Sequence, residues 1–142
     1  MSAWRSLCER ERREATAFHE AAHYTVARAL GCRPGRCVVR PGGGGHAELG
    51  QTPDPWTAEG CEAFVAVTLA GGLGEAMWFG RQMTAAGSDD RKATAALMRF
   101  DREERLRLQA DGLALAGRIL RADWELVTVI ARELVEHGQW PR

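Results

Sequence analysis

Five residues constrain this chain more than any others: His19-Glu20-Ala21-Ala22-His23, an H-E-x-x-H pattern set inside a stretch with helical character. Residues 9–30 contain neither Gly nor Pro, and Phe18, Ala22, Val26 and Ala29 recur at spacings of three and four, so one apolar face runs along the stretch. Gly31 closes it, with Pro34 just beyond. On such a helix His19 and His23 share a face, so both imidazoles can reach one metal ion while Glu20 flanks it. Because the chain has four histidines, chance alone can assemble the string; its setting on a helix with a buried face gives it weight.

Length and composition bound the rest. A chain of 142 residues, 45% hydrophobic and 27% charged, is expected to form a single domain, residues 1–142, with a real core. The 19 basic and 19 acidic residues cancel, which removes any bulk electrostatic case for nucleic acid or a membrane as partner. Residues 1–10 lack the apolar core of a signal peptide, and no window approaches the run of apolar residues that spans a bilayer, so the expectation is a cytoplasmic protein. Cys8, Cys32, Cys37 and Cys61 have no C-x-x-C spacing, which predicts free thiols and no second, cysteine-built zinc site.

Beyond the first helix, residues 37–40 read as a short strand, Pro41 and the glycines 42–45 as a loose turn, and residues 46–49 as a second short strand. The glycine run lacks the Gly-Lys-Ser/Thr that would make it a phosphate cradle. Thr57 is placed to cap a helix that has Gly60 in its first turn, an apolar run over 61–79 suited to burial and its end at Gly80. Ser88 or Asp89 caps a third helix through Ala93, Ala96, Leu97 and Phe100, with 102–107 as its charged continuation, and residues 111–137 form one amphipathic helix. The predicted architecture is mainly α with a small β hairpin or edge strand.

Two histidines do not complete a catalytic zinc site, which takes three protein ligands and leaves a position for water. Asp89, Asp90 and Glu75 are the leading candidates, while His46 sits beside a glycine run that supports a rigid site poorly. Three blocks in order, residues 16–23, 69–80 and 84–94, resemble the peptidase domain of FtsH-type AAA proteases, and with the tail the resemblance covers roughly residues 13–138. It implies a zincin-type helical metallopeptidase domain with Zn2+ held by His19, His23 and Asp89, Asp90 ranking second because the family carries an apolar residue there. It also implies that Glu75 orients a ligand from behind. Ala22 and Ala85 stand where the family commonly has Gly. The family's membrane anchor and ATPase module have no counterpart in these 142 residues, and Met1 favours a stand-alone protein.

The chemistry that follows is peptide hydrolysis, with Glu20 as the catalytic base and an unfolded or small protein segment as substrate. Tyr24 and His46 are candidate donors to the oxyanion, and the strand at 38–40 or the one at 46–49 could pair with an extended peptide. The contrasting expectation is a catalytically silent, zinc-stabilised binding module with the same fold. Oligomeric state stays open, since some of the five tryptophans could anchor a subunit contact.

Overall fold

The structure, a computed structural model, describes residues 3–84 and 87–142. Ala85 therefore lies outside the described residues. After a short 3-10 turn (Ala3–Ser6) the elements are α1 (Glu9–Ala29), β1 (Cys37–Val39), β2 (Gly45–Ala47), α2 (Ala58–Phe79), α3 (Gly87–Leu97), α4 (Arg102–Ala122), α5 (Trp124–His137) and β3 (Gln139–Trp140). A mainly helical domain with one small antiparallel sheet is thus observed. Among the described residues no helix is long and apolar enough to cross a membrane.

α2 is the hub, packing against α1, α3 and α4. Its sequence explains why: apolar residues surround it on all sides, so it cannot be satisfied by one neighbour. Thr57 accepts the Gly60 N–H at 3.0 Å at its start, and Gly80 ends it at φ 82°, a conformation that only glycine adopts cheaply. α5 backs α1 from the other side, and Arg13 on α1 donates to the carbonyls of Val135 (2.7 Å) and Leu134 (3.2 Å) at the end of α5. Leu120, Ile130 and Leu134 are fully buried in the main core beside Val26 and Val67; each such side chain contributes about 1.5–3 kcal/mol through burial. Phe18 stacks between Trp78 (4.4 Å between centroids) and Trp124 (5.8 Å), which locks α1 to both flanking helices one residue before His19.

Three helix boundaries differ from the sequence reading. The charged residues 102–107 do not continue α3; they open α4, because the Asp101 carboxylate accepts the Glu104 N–H at 2.9 Å and starts a new helix. The segment 111–137 is two helices that meet at Asp123 (φ −110°, ψ 24°), and neither Gly nor Pro marks the break. α3 also begins at Gly87, so Ser88 and Asp89 lie in its first turn and do not precede it.

The hairpin is as expected in kind, with β2 starting at Gly45, one residue earlier, and ending at Ala47. Its turn is fixed: Arg40 N–H donates to Gly44 O (2.7 Å), Gly43 N–H to Arg40 O (2.9 Å), and the Thr16 hydroxyl on α1 to Gly43 O (2.6 Å). The glycines are therefore held against the helix that carries the histidines. β3 was not foreseen from two residues near the end of the chain; it pairs with β1, giving the order β2-β1-β3. β1 is consequently covered on both sides, and of the two candidate peptide-pairing strands only β2 is an edge. All four cysteines are free, Cys8 exposed and the others buried.

Candidate metal centre

His19 and His23 project from α1 toward α2 and the start of α3, and Asp89 meets them from the first turn of α3. The three donor atoms form a nearly equilateral triangle. Asp89 Oδ2 lies 3.0 Å from His19 Nε2 and 3.0 Å from His23 Nε2, and the two Nε2 atoms are 3.1 Å apart. With metal–ligand bonds of about 2.1 Å, the edge of a coordination polyhedron is roughly 3.0 Å when octahedral and roughly 3.4 Å when tetrahedral, so the triangle fits one face around a small divalent ion.

The hydrogen bonds behind the ring show why these are lone pairs. His23 Nδ1 is 2.8 Å from Val67 O, and a carbonyl can only accept, so Nδ1 carries the hydrogen and Nε2 is left bare. His19 Nδ1 is 2.6 Å from Glu75 Oε2, with the same consequence for the neutral ring. Two bare nitrogens and a carboxylate oxygen facing one another repel unless a cation, or a proton, sits between them. Burial works against charge on His19, yet its hydrogen bonds to Asp89 and Glu75, with the Glu20 charge nearby, push its pKa up to about 10. For Asp89 burial pulls upward, but the hydrogen bonds to His19 and His23 hold its carboxyl well below the usual carboxylate range. Without a metal, a proton on His19 does the neutralising.

The sign of the pH dependence follows. A His19 pKa raised from 6.5 to about 10 in the metal-free fold contributes stability that is complete below pH 6.5 and disappears as pH rises toward 10. A metal must displace that proton, so its apparent affinity rises with pH over the same window, by about tenfold per unit for one proton released. Competition with a chromophoric chelator at pH 6.5 and 7.5 checks this; equal affinities at the two values would contradict the proton assignment.

Glu75 is fully buried on α2, and every acceptor position on it is used. Oε2 takes His19 Nδ1–H and the Thr84 hydroxyl (2.5 Å), while Oε1 takes the N–H groups of Thr84 (2.7 Å) and Met83 (3.1 Å). It therefore joins the α1 histidine to the segment that leads into the α3 aspartate. Glu75→Gln points an NH2 group at donors, and the expected result is a 10–100-fold loss of metal affinity together with a metal-free fold weaker by about 1–3 kcal/mol. Metal titration and urea unfolding measure the two separately.

Two glycines of α2 make room. A Cβ at Gly71 would lie 2.5 Å from both Nε2 atoms. One at Gly74 would collide with the Ala22 methyl, so the alanine that stands where a glycine was expected is accommodated by a glycine on the facing helix.

The triangle opens into a cleft of about 940 Å³ that runs between β2 and the α2–α3–α4 side. Glu20 lines it, with only 9% of its surface exposed, directly under β2: a Cβ on Gly45 would come within 2.9 Å of Glu20 Cγ. The register pairs Cys37 with Ala47, Val38 with His46 and Val39 with Gly45. Since Arg40 N–H bonds Gly44 O and Glu48 N–H bonds Arg36 O, the hydrogen-bonded pairs fall on even positions. The backbone groups of Gly45 and Ala47 accordingly turn away from β1, toward the open edge.

The remaining candidates separate cleanly. Asp90 is exposed on the cleft rim and is not part of the donor triangle. His46 also lines the cleft, but strand alternation puts it on the face opposite Gly45, away from α1. Tyr24 packs on the main core and does not line the cleft, so neither oxyanion candidate faces the donors. Val67 O, Thr84 and Gly71 were given no role from the sequence, although Thr84 and Gly71 sat within recognised blocks; a backbone acceptor and a missing side chain leave no residue-type signal, and the Thr84 hydroxyl is one of many. Of the five tryptophans, Trp4, Trp124 and Trp140 are partly buried, while Trp56, with the Arg99 guanidinium 3.5 Å from its ring centroid, is 70% exposed and Trp78 46% exposed. No protein-family model matches this chain, and no curated protein matches it.

Proposed function

We propose that this chain is a zinc-dependent metallopeptidase related to the FtsH-type peptidase domain, with His19, His23 and Asp89 as zinc ligands, Glu20 as general base and Glu75 as the group that orients His19. The observation that carries the reading is the convergence of two imidazole lone pairs and one carboxylate oxygen at 3.0–3.1 Å, next to a buried carboxylate, beneath an open strand edge. Two histidines with one carboxylate occur in zinc hydrolases and in ferrous oxygenases alike. The glutamate that follows the first histidine favours hydrolysis, because only that chemistry needs a base there.

A zinc ion held by these donors would supply the Lewis acid, lowering the pKa of its bound water toward about 7 and polarising a carbonyl. Glu75 and Val67 O keep the proton of each imidazole on Nδ1 and so keep Nε2 free as donor. An extended peptide pairs with the outward N–H and C=O groups of Gly45 and Ala47, which lays its backbone above Glu20. The Glu20 carboxylate accepts the proton of the attacking water and returns it to the departing amide nitrogen as the C–N bond breaks. The partly buried setting of Glu20 shields that transfer from bulk water.

The substrates are short peptides or unfolded segments, since only an extended backbone can pair with the open edge of β2. Hydrolysis of a quenched fluorescent peptide library, dependent on zinc and on Glu20, tests the reading. Zinc binding without any hydrolysis would favour the silent binding module in its place.

A further inference from the structure

Among the described residues that line the cleft, Lys92 is the only Lys or Arg, and it is the single lysine of the chain. It shares that lining with three carboxylates, Glu20, Asp89 and Asp90, yet it is exposed and makes no salt bridge among the described residues. Asp89 is turned instead to the two histidines, at 3.0 Å from each. Lys92 lies three residues beyond Asp89 on α3, hence on the same helix face and about 4.5 Å further along its axis. A lysine stem adds reach on that scale, and an extended peptide advances about 3.3 Å per residue. The ammonium group can therefore meet a group one or two residues from the bond above Glu20.

We propose that Lys92 is a specificity-determining residue that receives a peptide carboxylate at this end of the cleft. The inference rests on the peptidase reading for its purpose, but it concerns binding. The α2 and α4 walls of the cleft are uncharged, with Phe64 and Leu113 apolar and Gln109 a neutral amide, while the carboxylates on α3 are Asp89, turned to the histidines, and Asp90 on the rim. A substrate carboxylate there gains a charge-assisted hydrogen bond from Lys92 and meets no fixed anion on the α2 and α4 walls. The carboxylate can belong to an Asp or Glu side chain or to the free C-terminus of a short peptide. Both sources present the same chemistry.

The test is fluorescence anisotropy on zinc-loaded Glu20→Gln protein, so that bound peptide is not consumed. The probes are labelled peptides carrying Glu or Gln at successive internal positions, each made as C-terminal acid and as amide. The expected result is about fivefold tighter binding of the charged member of one pair, abolished by Lys92→Met, inverted by Lys92→Glu and unchanged by Arg91→Met, an exposed neighbour outside the cleft lining. The internal pair responding identifies a side-chain carboxylate; the acid and amide pair responding identifies a C-terminus. Equal binding of charged and neutral peptides, a preference that survives Lys92→Met, or no peptide binding at all overturns the proposal. Absence of Glu20-dependent cleavage in the wild type would overturn the peptidase reading on its own, while the anisotropy series still decides Lys92.

Discussion

Replacing Glu20 by Gln is expected to leave zinc content and thermal stability near wild type while peptide hydrolysis falls by roughly a thousandfold. Gln keeps the shape of the side chain beneath Gly45 but cannot accept a proton. Glu20 is not among the three donor atoms of the metal triangle, so the ligand set is untouched. Glu59→Gln, on the exposed N-terminal turn of α2, serves as the matched control and should retain full activity. Equal hydrolysis by wild type and Glu20→Gln would identify the activity as a contaminant. A Glu20→Gln protein that no longer binds zinc would mean that Glu20 is structural and that the assignment of the base is wrong.

The second large effect is expected at Gly71. Alanine there removes the helix penalty of glycine, worth about 1 kcal/mol, but displaced imidazoles lose their hydrogen bonds to Glu75 and Val67 O, so the metal-free fold should be no more stable than wild type. The new methyl sits 2.5 Å from both Nε2 atoms and drives the imidazoles off their converging geometry. Zinc affinity should drop by at least about 100-fold, since displacement of two donors at once exceeds the loss expected for one supporting contact. Gly72→Ala meets only the mobile end of Gln82 and should bind zinc normally. Zinc titrations run beside urea unfolding separate the effects. Normal zinc binding by Gly71→Ala would show that the donors do not sit against α2 at this point.

The contrast between these two residues also shows how far the sequence could be read. α1 was legible because its information is local: apolar spacing, absence of breakers and Gly31 at its end all lie within one stretch. α2 was legible from Thr57 and Gly80 for the same reason. The α4–α5 break was not, because Asp123 turns the chain without a residue type that demands it, and the start of α4 was hidden by a charged run whose Asp101 is an ordinary cap. β3 was invisible because a strand of two residues exists only through its partner β1, about a hundred residues earlier.

The site divides in the same way. His19, Glu20 and His23 declare themselves through spacing on one helix. Asp89 and Asp90 are adjacent and chemically alike, and only the direction taken by the first turn of α3 sends Asp89 to the imidazoles and leaves Asp90 on the rim. Glu75 illustrates a third case: its block drew notice, but that it accepts four hydrogen bonds at once depends on the course of residues 83–84, which no local pattern encodes.

Whether His19, His23 and Asp89 together hold a zinc ion is read most directly by metal analysis of the purified chain by mass spectrometry. Wild type, Asp89→Ala and Asp90→Ala are reconstituted with equal zinc and iron and then desalted. The expected result is about one zinc per wild-type chain, little iron, wild-type content in Asp90→Ala and near-complete loss in Asp89→Ala. A wild-type protein that retains no metal, or an Asp89→Ala variant that keeps its zinc, would contradict it.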